Sequence, residues 1–346
     1  MTALPEVLEI HTPALFAAAV ARAAARLRAG DLVALPTETV YGLAANALDP
    51  AAVARIFEAK ERPAHNPIIV HVADVAMARA CAAAWPPMAA RLAAAFWPGP
   101  LTLVLPKATV IPGIVTAGGD TVGLRWPSHP FMQAVIRECG FPLAAPSANR
   151  ANQLSPTRVG HVLASLSDRV KLIVDGGPCQ VGIESTVLDL AYQPPRILRP
   201  GMIHAASLEA VMGVSLGSQF AQADSADEGM TRWPLRSPGQ LPRHYAPRAR
   251  LRLVTWATDA ELHAVLNRLG VEKATTWVVA HSHIPNDDGF AGVSVVPRDA
   301  EAFARALYAE LHRCDAEGAA TIVVETPPAG PEWQGIADRL HRAAAP

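Results

Sequence analysis

A chain of 346 residues, 51% hydrophobic and only 18% charged, has length for about two domains and too much apolar content for an intrinsically disordered chain. Its formal net charge of -1, from 30 Lys+Arg against 31 Asp+Glu, gives neither the basic excess typical of nucleic-acid binders nor an acidic solvating tail. Widely spaced cysteines without a C-x-x-C pair, Ala-rich stretches cut by arginines, and no basic-then-apolar leader predict a soluble chain in the reducing cytoplasm.

In chain order, the first helix is marked by Thr12 as cap and Pro13 at its first position. Leu15, Phe16, Val20, Ala24 and Leu27 form its apolar face, and Gly30 stops it. A strand over Leu32–Leu35 leads into Pro36-Thr37-Glu38-Thr39-Val40-Tyr41-Gly42-Leu43. Asp49-Pro50 opens a second helix, with Val53, Ile56 and Phe57 inward, that runs into Lys60-Glu61-Arg62-Pro63. Further strands are predicted at Pro67–Val72, Leu101–Leu105, Thr121–Arg125, Leu143–Ala145, Val170–Val174, Thr186–Leu190 and Arg196–Leu198. Helices are predicted near 74–84, 87–96, 129–139 and 156–166. This alternation predicts an α/β or α+β domain around one twisted sheet, over residues 1–215. Gly217–Arg236 is polar and aperiodic and Ser237–Pro247 is proline-rich, so 216–247 reads as a linker. Strands at Leu251–Trp256, Thr276–Ala280, Val293–Val296 and Thr321–Glu325 alternate with helices at Asp259–Leu269, Ala300–Ala316 and the C-terminus. They predict a second, smaller α/β unit over 248–346.

The chain contains no phosphate-binding G-x-x-x-x-G-K-[ST], no G-x-G-x-x-G after a strand, no nucleophile elbow and no H-E-x-x-H. His281 and His283 have H-x-H spacing but no nearby acidic cluster in sequence, and read as a solvent-exposed loop rather than a metal site. Four of the basic residues are Lys, and one of them, Lys60, stands with Arg62 at a helix end. That pair suits a phosphate or carboxylate, and equally a helix dipole. Alternation along Thr121–Arg125 puts Thr121, Gly123 and Arg125 on one face, either a ligand surface or a solvated one. His71 interrupts an apolar strand and reads by default as a core histidine. Ser147, Asn149 and Ser155 lie in small-polar segments that serve as turns, as a helix cap (Ser155-Pro156-Thr157) or as phosphate donors.

Several of these motifs in one order carry more than each alone. Pro36–Leu43, Lys60-x-Arg62-Pro63, Asn66-Pro67 before His71, Gly123-Leu124-Arg125, Pro146-Ser147-Ala148-Asn149 and Glu184-Ser185-Thr186-Val187 together resemble the threonylcarbamoyl-AMP synthase (YrdC-like) family. Arg199-Pro200-Gly201 and Ser237-Pro238-Gly239 through Arg243-His244-Tyr245-Ala246-Pro247 look like its long, two-domain form. The resemblance implies a YrdC-like twisted open sheet with helices, a Pro-rich linker and a Rossmann-like C-terminal domain. It implies synthesis of threonylcarbamoyl-AMP and pyrophosphate from L-threonine, bicarbonate and ATP, for modification of the adenosine beside the anticodon in tRNA.

By family position, Lys60 and Arg62 would face the charge gathered by carbamate and phosphates. Thr39, His71, Arg125, Ala145 (through its backbone) and Ser185 would form the threonine pocket. Arg62, Asn66, Thr121, Ser147, Asn149, Ser155, Arg199 and Ser237 would contact ATP. Mg²⁺ would come with the triphosphate rather than in a protein cage. A downstream tRNA-modifying transferase machinery is implied as partner, with weak tRNA contact possible and no membrane. Gln240-Leu241-Pro242 departs from the family's usual linker pattern, so contacts by those three residues stay open. Two other readings remain at this point: an RNA-binding module using the concave sheet, and a carbamoyl-adenylate enzyme of hydrogenase maturation.

Overall fold

The computed structural model describes residues 4–217, 235–286 and 289–346. Most of the polar stretch Gly217–Arg236 therefore lies outside the described residues. The first unit runs β1 (Glu6–Glu9), α1 (Pro13–Arg28), β2 (Val33–Leu35), β3 (Gly42–Asn46), α2 (Pro50–Lys60), β4 (Val70–His71), α3 (Val75–Cys81), α4 (Pro87–Phe96) and β5 (Leu101–Pro106). It continues through β6 (Thr121–Arg125), α5 (Pro130–Cys139), β7 (Leu143–Ala144), α6 (Val159–Leu166), β8 (Leu172–Asp175), β9 (Thr186–Asp189), β10 (Arg196–Arg199) and α7 (Ala205–Met212). The second holds β11 (Arg250–Val254), α8 (Asp259–Arg268), β12 (Thr276–Ala280), β13 (Gly292–Val295), α9 (Ala300–Ala316), β14 (Thr321–Glu325) and α10 (Gln334–Ala344).

Ten strands form one mixed sheet in the order β1-β8-β2-β3-β7-β4-β6-β5-β9-β10. Four form a second, wholly parallel sheet in the order β11-β14-β12-β13. Strand alternation decides what covers each face of the large sheet. Val33, Leu35, Leu172 and Val174 pack against α1 and α5. Ala34, Ile173, Val70, Leu124, Leu101 and Leu103 point the other way, into a core shared with α2, α4, α6 and α7. The α1–α5 layer covers the β1-β8-β2-β3-β7 end. Beyond it, the same face of β4, β6, β5 and β9 carries a small buried cluster of Ile69, Val104 and Val187, and the linker residues Ser237 and Pro238 lie over it. That gap positions the site.

Caps and helix phases follow the sequence closely. Thr12 Oγ1 accepts from the Leu15 amide, and Asp49 from the Ala51 amide, at the starts of α1 and α2. The face of α1 differs from expectation: Ala19, Ala23, Ala24 and Leu27 are buried, while Leu15 is 40% exposed. Small side chains let α1 lie close on α5, with Phe16 edge-on to Phe131 at 5.2 Å. The helix expected from 156 starts at Val159, and Ser155 does not cap it, because its hydroxyl is committed to Glu184. No helix among the described residues is long and apolar enough to cross a membrane.

The loop at His281 also differs from expectation. Its ring is nearly buried, packed beside Phe303 and Trp333, and the His281 and Ser282 amides both donate to Glu325 Oε2. Glu325, at the end of β14, supplies the carboxylate that sequence distance hid; His283 Nδ1 meets it at 3.0 Å.

Candidate active site

The site begins with α2. Glu61 leaves the helix in the left-handed region (φ 54°), so the chain turns and its two flanking cations take different partners. Lys60 is buried and turns inward: its Nζ donates to the carbonyl of Ser147 at 2.5 Å and to that of Asn149. Burial, reinforced by the neighbouring Arg62 charge, pushes the Lys60 amine well below its ordinary pKa. Arg62 grips its own loop through Asn66 Oδ1 at 2.7 Å and the Pro67 carbonyl at 2.6 Å, and lines the cavity. Burial lowers its pKa to about 10, so it stays a cation at neutral pH.

From the sheet come His71 and Arg125, cross-strand partners on parallel β4 and β6. Gly123, two residues before Arg125 on the same face, keeps the floor flat: a Cβ there would lie 3.2 Å from Thr102 Cγ2. Arg125 is buried, with Nη2 2.8 Å from Glu38 Oε1. The two groups meet as an ion pair without hydrogen-bond alignment, and neither Glu38 oxygen has a hydrogen-bond partner among the described residues. His71 corrects the core-histidine reading only in part. It is buried, but it lines the cavity, and its Nδ1 has no hydrogen-bond partner among the described residues. Burial and the Arg125 charge hold its pKa at about 3, so the ring is neutral.

The cavity, of about 50 Å³, is lined by Thr39, Arg62, His71, Arg125, Ala145, Ser147 and Arg199 together with Glu184 and three linker residues, Pro238, His244 and Tyr245. An adjoining cleft, sharing Ile69 and Pro238 with it, is lined by Thr121 and Ser237. Asn66, Asn149, Ser155, Ser185 and Lys60 stand one layer back and touch what lines the wall. Arg199 donates to the Ser185 carbonyl and to its Oγ, both at 3.1 Å, and Ser185 Oγ meets Thr102 Oγ1 at 2.8 Å. Asn149 donates to the Arg150 and Gln153 carbonyls at 2.8 and 2.9 Å, and its Oδ1 has no hydrogen-bond partner among the described residues. Three arginines against one carboxylate make this wall an anion site. Room for only a few waters remains, because Pro238, His244 and Tyr245 narrow it.

Sequence reading passed over Glu38 and Arg339. Glu38 is a single charge in the run Leu32–Leu48, a signal that it needs a partner. Arg339 falls on the phase of Ile336, Leu340 and Ala343, the buried face of α10, which marks it as an arginine pointed into the protein.

Comparisons with known proteins identify the family. A family model described as "Telomere recombination" matches residues 25–201, and one described as "Threonylcarbamoyl-AMP synthase, C-terminal domain" matches 203–345. The threonylcarbamoyl-AMP synthase of Pyrococcus abyssi is 39% identical over 93% of this chain and 93% of its own length. The chain belongs to the threonylcarbamoyl-AMP synthase family. The Bacillus subtilis synthase is 45% identical over 71% of this chain and 69% of its own. A crystal structure of P. abyssi Sua5 complexed with L-threonine superposes with a TM-score of 0.87 at 36% identity, covering 98% of this chain and 97% of that one. Membership places the chain among nucleotidyl-transferring enzymes, which decides against a non-catalytic RNA-binding module.

Proposed function

We propose that this protein condenses L-threonine, bicarbonate and ATP into threonylcarbamoyl-AMP and pyrophosphate. The observation that carries the reading is the convergence, in one cavity, of Arg125, His71, Thr39 and Ala145 with Arg62, Ser147 and Arg199. The first four offer an amino-acid site. Arg125 presents a planar fork matched to a carboxylate, His71 a neutral ring whose Nδ1 has no partner among the described residues and suits the amine or hydroxyl, and Ala145 its backbone. The others face the phosphates, with Thr121 and Ser237 in the adjoining cleft and Asn66, Asn149, Ser155 and Ser185 supporting from behind.

The neutral threonine amine condenses with bicarbonate, forming the N–C bond and releasing water, to give a carbamate. A carbamate oxygen then attacks the α-phosphorus, and the P–O bond to pyrophosphate breaks. No protein nucleophile is needed; positioning, charge stabilisation and exclusion of water suffice. Lys60 acts by fixing the Ser147 and Asn149 carbonyls, and with them the segment that carries Ser147 on the cavity wall. The proline-rich residues 235–247 serve as a lid over the unstable carbamate, between a catalytic unit of 1–215 and a C-terminal unit of 248–346. Among the described residues no cluster of three or more His, Cys, Asp or Glu side chains has metal-binding geometry, and Glu184 on the cavity wall is committed to Arg339. Magnesium would be held by the phosphates of ATP, whose charge it would shield. The product serves a tRNA-modifying transferase in the cytoplasm.

Isothermal titration tests the assignment of the two halves. The wild type should bind both L-threonine and ATP. Arg125→Ala should weaken threonine binding about 100-fold, the loss of a charge-assisted bidentate contact, and change ATP affinity less than about threefold. Equal loss of both ligands would contradict the threonine site.

A further inference from the structure

Glu184 stands on a wall whose other charged groups are Arg62, Arg125 and Arg199. An uncompensated carboxylate there would repel the phosphates and carboxylate that the arginines attract. Besides Arg199 and Ser155 of the first unit, compensating groups come from the second. Arg339 of α10, buried, donates from Nε to Glu184 Oε2 at 2.8 Å, from Nη2 to the Glu184 carbonyl at 3.2 Å, and from Nη1 to the Pro200 carbonyl at 2.7 Å. Tyr308 of α9 donates to the same Oε2 at 3.1 Å, Ser155 donates to Oε1 at 2.5 Å, and Asp338 flanks Arg339 at 2.9 Å. Arg339 and Arg199 outweigh burial and hold the Glu184 carboxyl at about 2.

One guanidinium thus ties together the turn that carries Ser185 and the turn that follows Arg199. The fit around it is at backbone distance. A Cβ on Gly182 would lie 2.4 Å from the Ala304 carbonyl oxygen of α9, and one on Gly335 of α10 would lie 3.0 Å from Gly201 Cα. The apolar core is shared too: Val40, Leu154 and Ile183 pack in one cluster with Phe303, Tyr308 and Leu340.

We propose that the C-terminal unit takes part in the reaction through Arg339, a positioning residue that cancels the charge of Glu184 and sets Ser185 and Arg199 for their anionic ligands. This rests on the functional reading above. It gives the second sheet a role that no motif within residues 248–346 announces.

The test uses the full chain in four forms: wild type, Arg339→Met, Arg339→Lys, and Arg339→Met with Glu184→Gln. ATP affinity is read by calorimetry, kcat and KM by pyrophosphate release, and folding by thermal melting. Arg339→Met should weaken ATP binding at least 20-fold and lower kcat further. Removing the orphaned carboxylate in the double variant should recover at least tenfold of the affinity, and Arg339→Lys should stay closer to the wild type than Arg339→Met. The double variant buries no unpaired charge, so it remains informative if Arg339→Met fails to fold. ATP affinity unchanged in Arg339→Met would overturn the proposal. So would a double variant that melts like the wild type yet recovers no affinity. A wild type that binds ATP but releases no threonine-dependent pyrophosphate would instead sink the functional reading, while the ATP affinities still decide the role of Arg339.

Discussion

His71 on β4 and His244 on the linker line the same cavity, and burial holds both at a pKa of about 3; the charge of Arg125 adds to the effect at His71, while at His244 the opposing Glu184 charge is countered by Arg62, Lys60 and Arg199. In the unfolded chain each would titrate near its ordinary 6.5. Between those values the unfolded state binds more protons than the folded one, so stability falls as the pH drops below 6.5. Moving from pH 7.5 to 5.5 should cost about 1.4 kcal/mol for each ring. Urea unfolding at the two pH values should show a lower midpoint at pH 5.5, and substituting His71 by Asn should remove the share of that one ring, about 1.4 kcal/mol, leaving the parts owed to His244 and to His161, which burial likewise holds at about 3. An identical midpoint at both would contradict neutral, buried rings. At this scale, side chains governed by local periodicity were legible. Alternation puts Thr121, Gly123 and Arg125 on one face, as the structure does. Side chains governed by distant partners were not: Lys60 turns to carbonyls 87 and 89 residues away, and Arg339 reaches Glu184 across 155.

Among the elements, the linker does the most with the least regular structure. Gly239 sits in the left-handed region (φ +85°), and a Cβ there would lie 2.5 Å from Tyr245 Oη and 2.9 Å from Arg199 Cδ. Gly239→Ala should therefore prevent Pro238 and Tyr245 from settling beside Arg199 and reduce turnover at least tenfold. Its melting temperature should fall only a few degrees, since a residue forced into this region costs about 1–2 kcal/mol. Wild-type turnover in the variant would mean that this segment does not cover the reacting groups. Elements missed in the sequence are those with weak intrinsic signals. Gly42-Leu43-Ala44-Ala45-Asn46 has little strand propensity, and becomes β3 because β2 and β7 flank it. β1 exists by pairing with β8, whose register joins Glu6 to Leu172. Where periodicity was strong and local, as in α4, α9, β12 and β14, the expected ranges were met or nearly so.

For the whole molecule, the division into a large sheet and a small parallel sheet was legible from composition and alternation, because a polar, proline-rich break separates two runs of α/β pattern. What lay beyond sequence reading was the depth of their joining. The second unit reaches the cavity wall through Arg339 and Tyr308, and the linker lies between the two as part of that wall. Membership of the synthase family and a cavity that gathers Arg125 and His71 with Arg62 and Arg199 make one claim: threonine, bicarbonate and ATP react together in this site. The most direct test is pyrophosphate release from ATP by the full chain, with each of the other two substrates omitted in turn. Release that requires both threonine and bicarbonate is the predicted result. Release that proceeds at the same rate without threonine would contradict the claim, keeping the fold and removing the substrate.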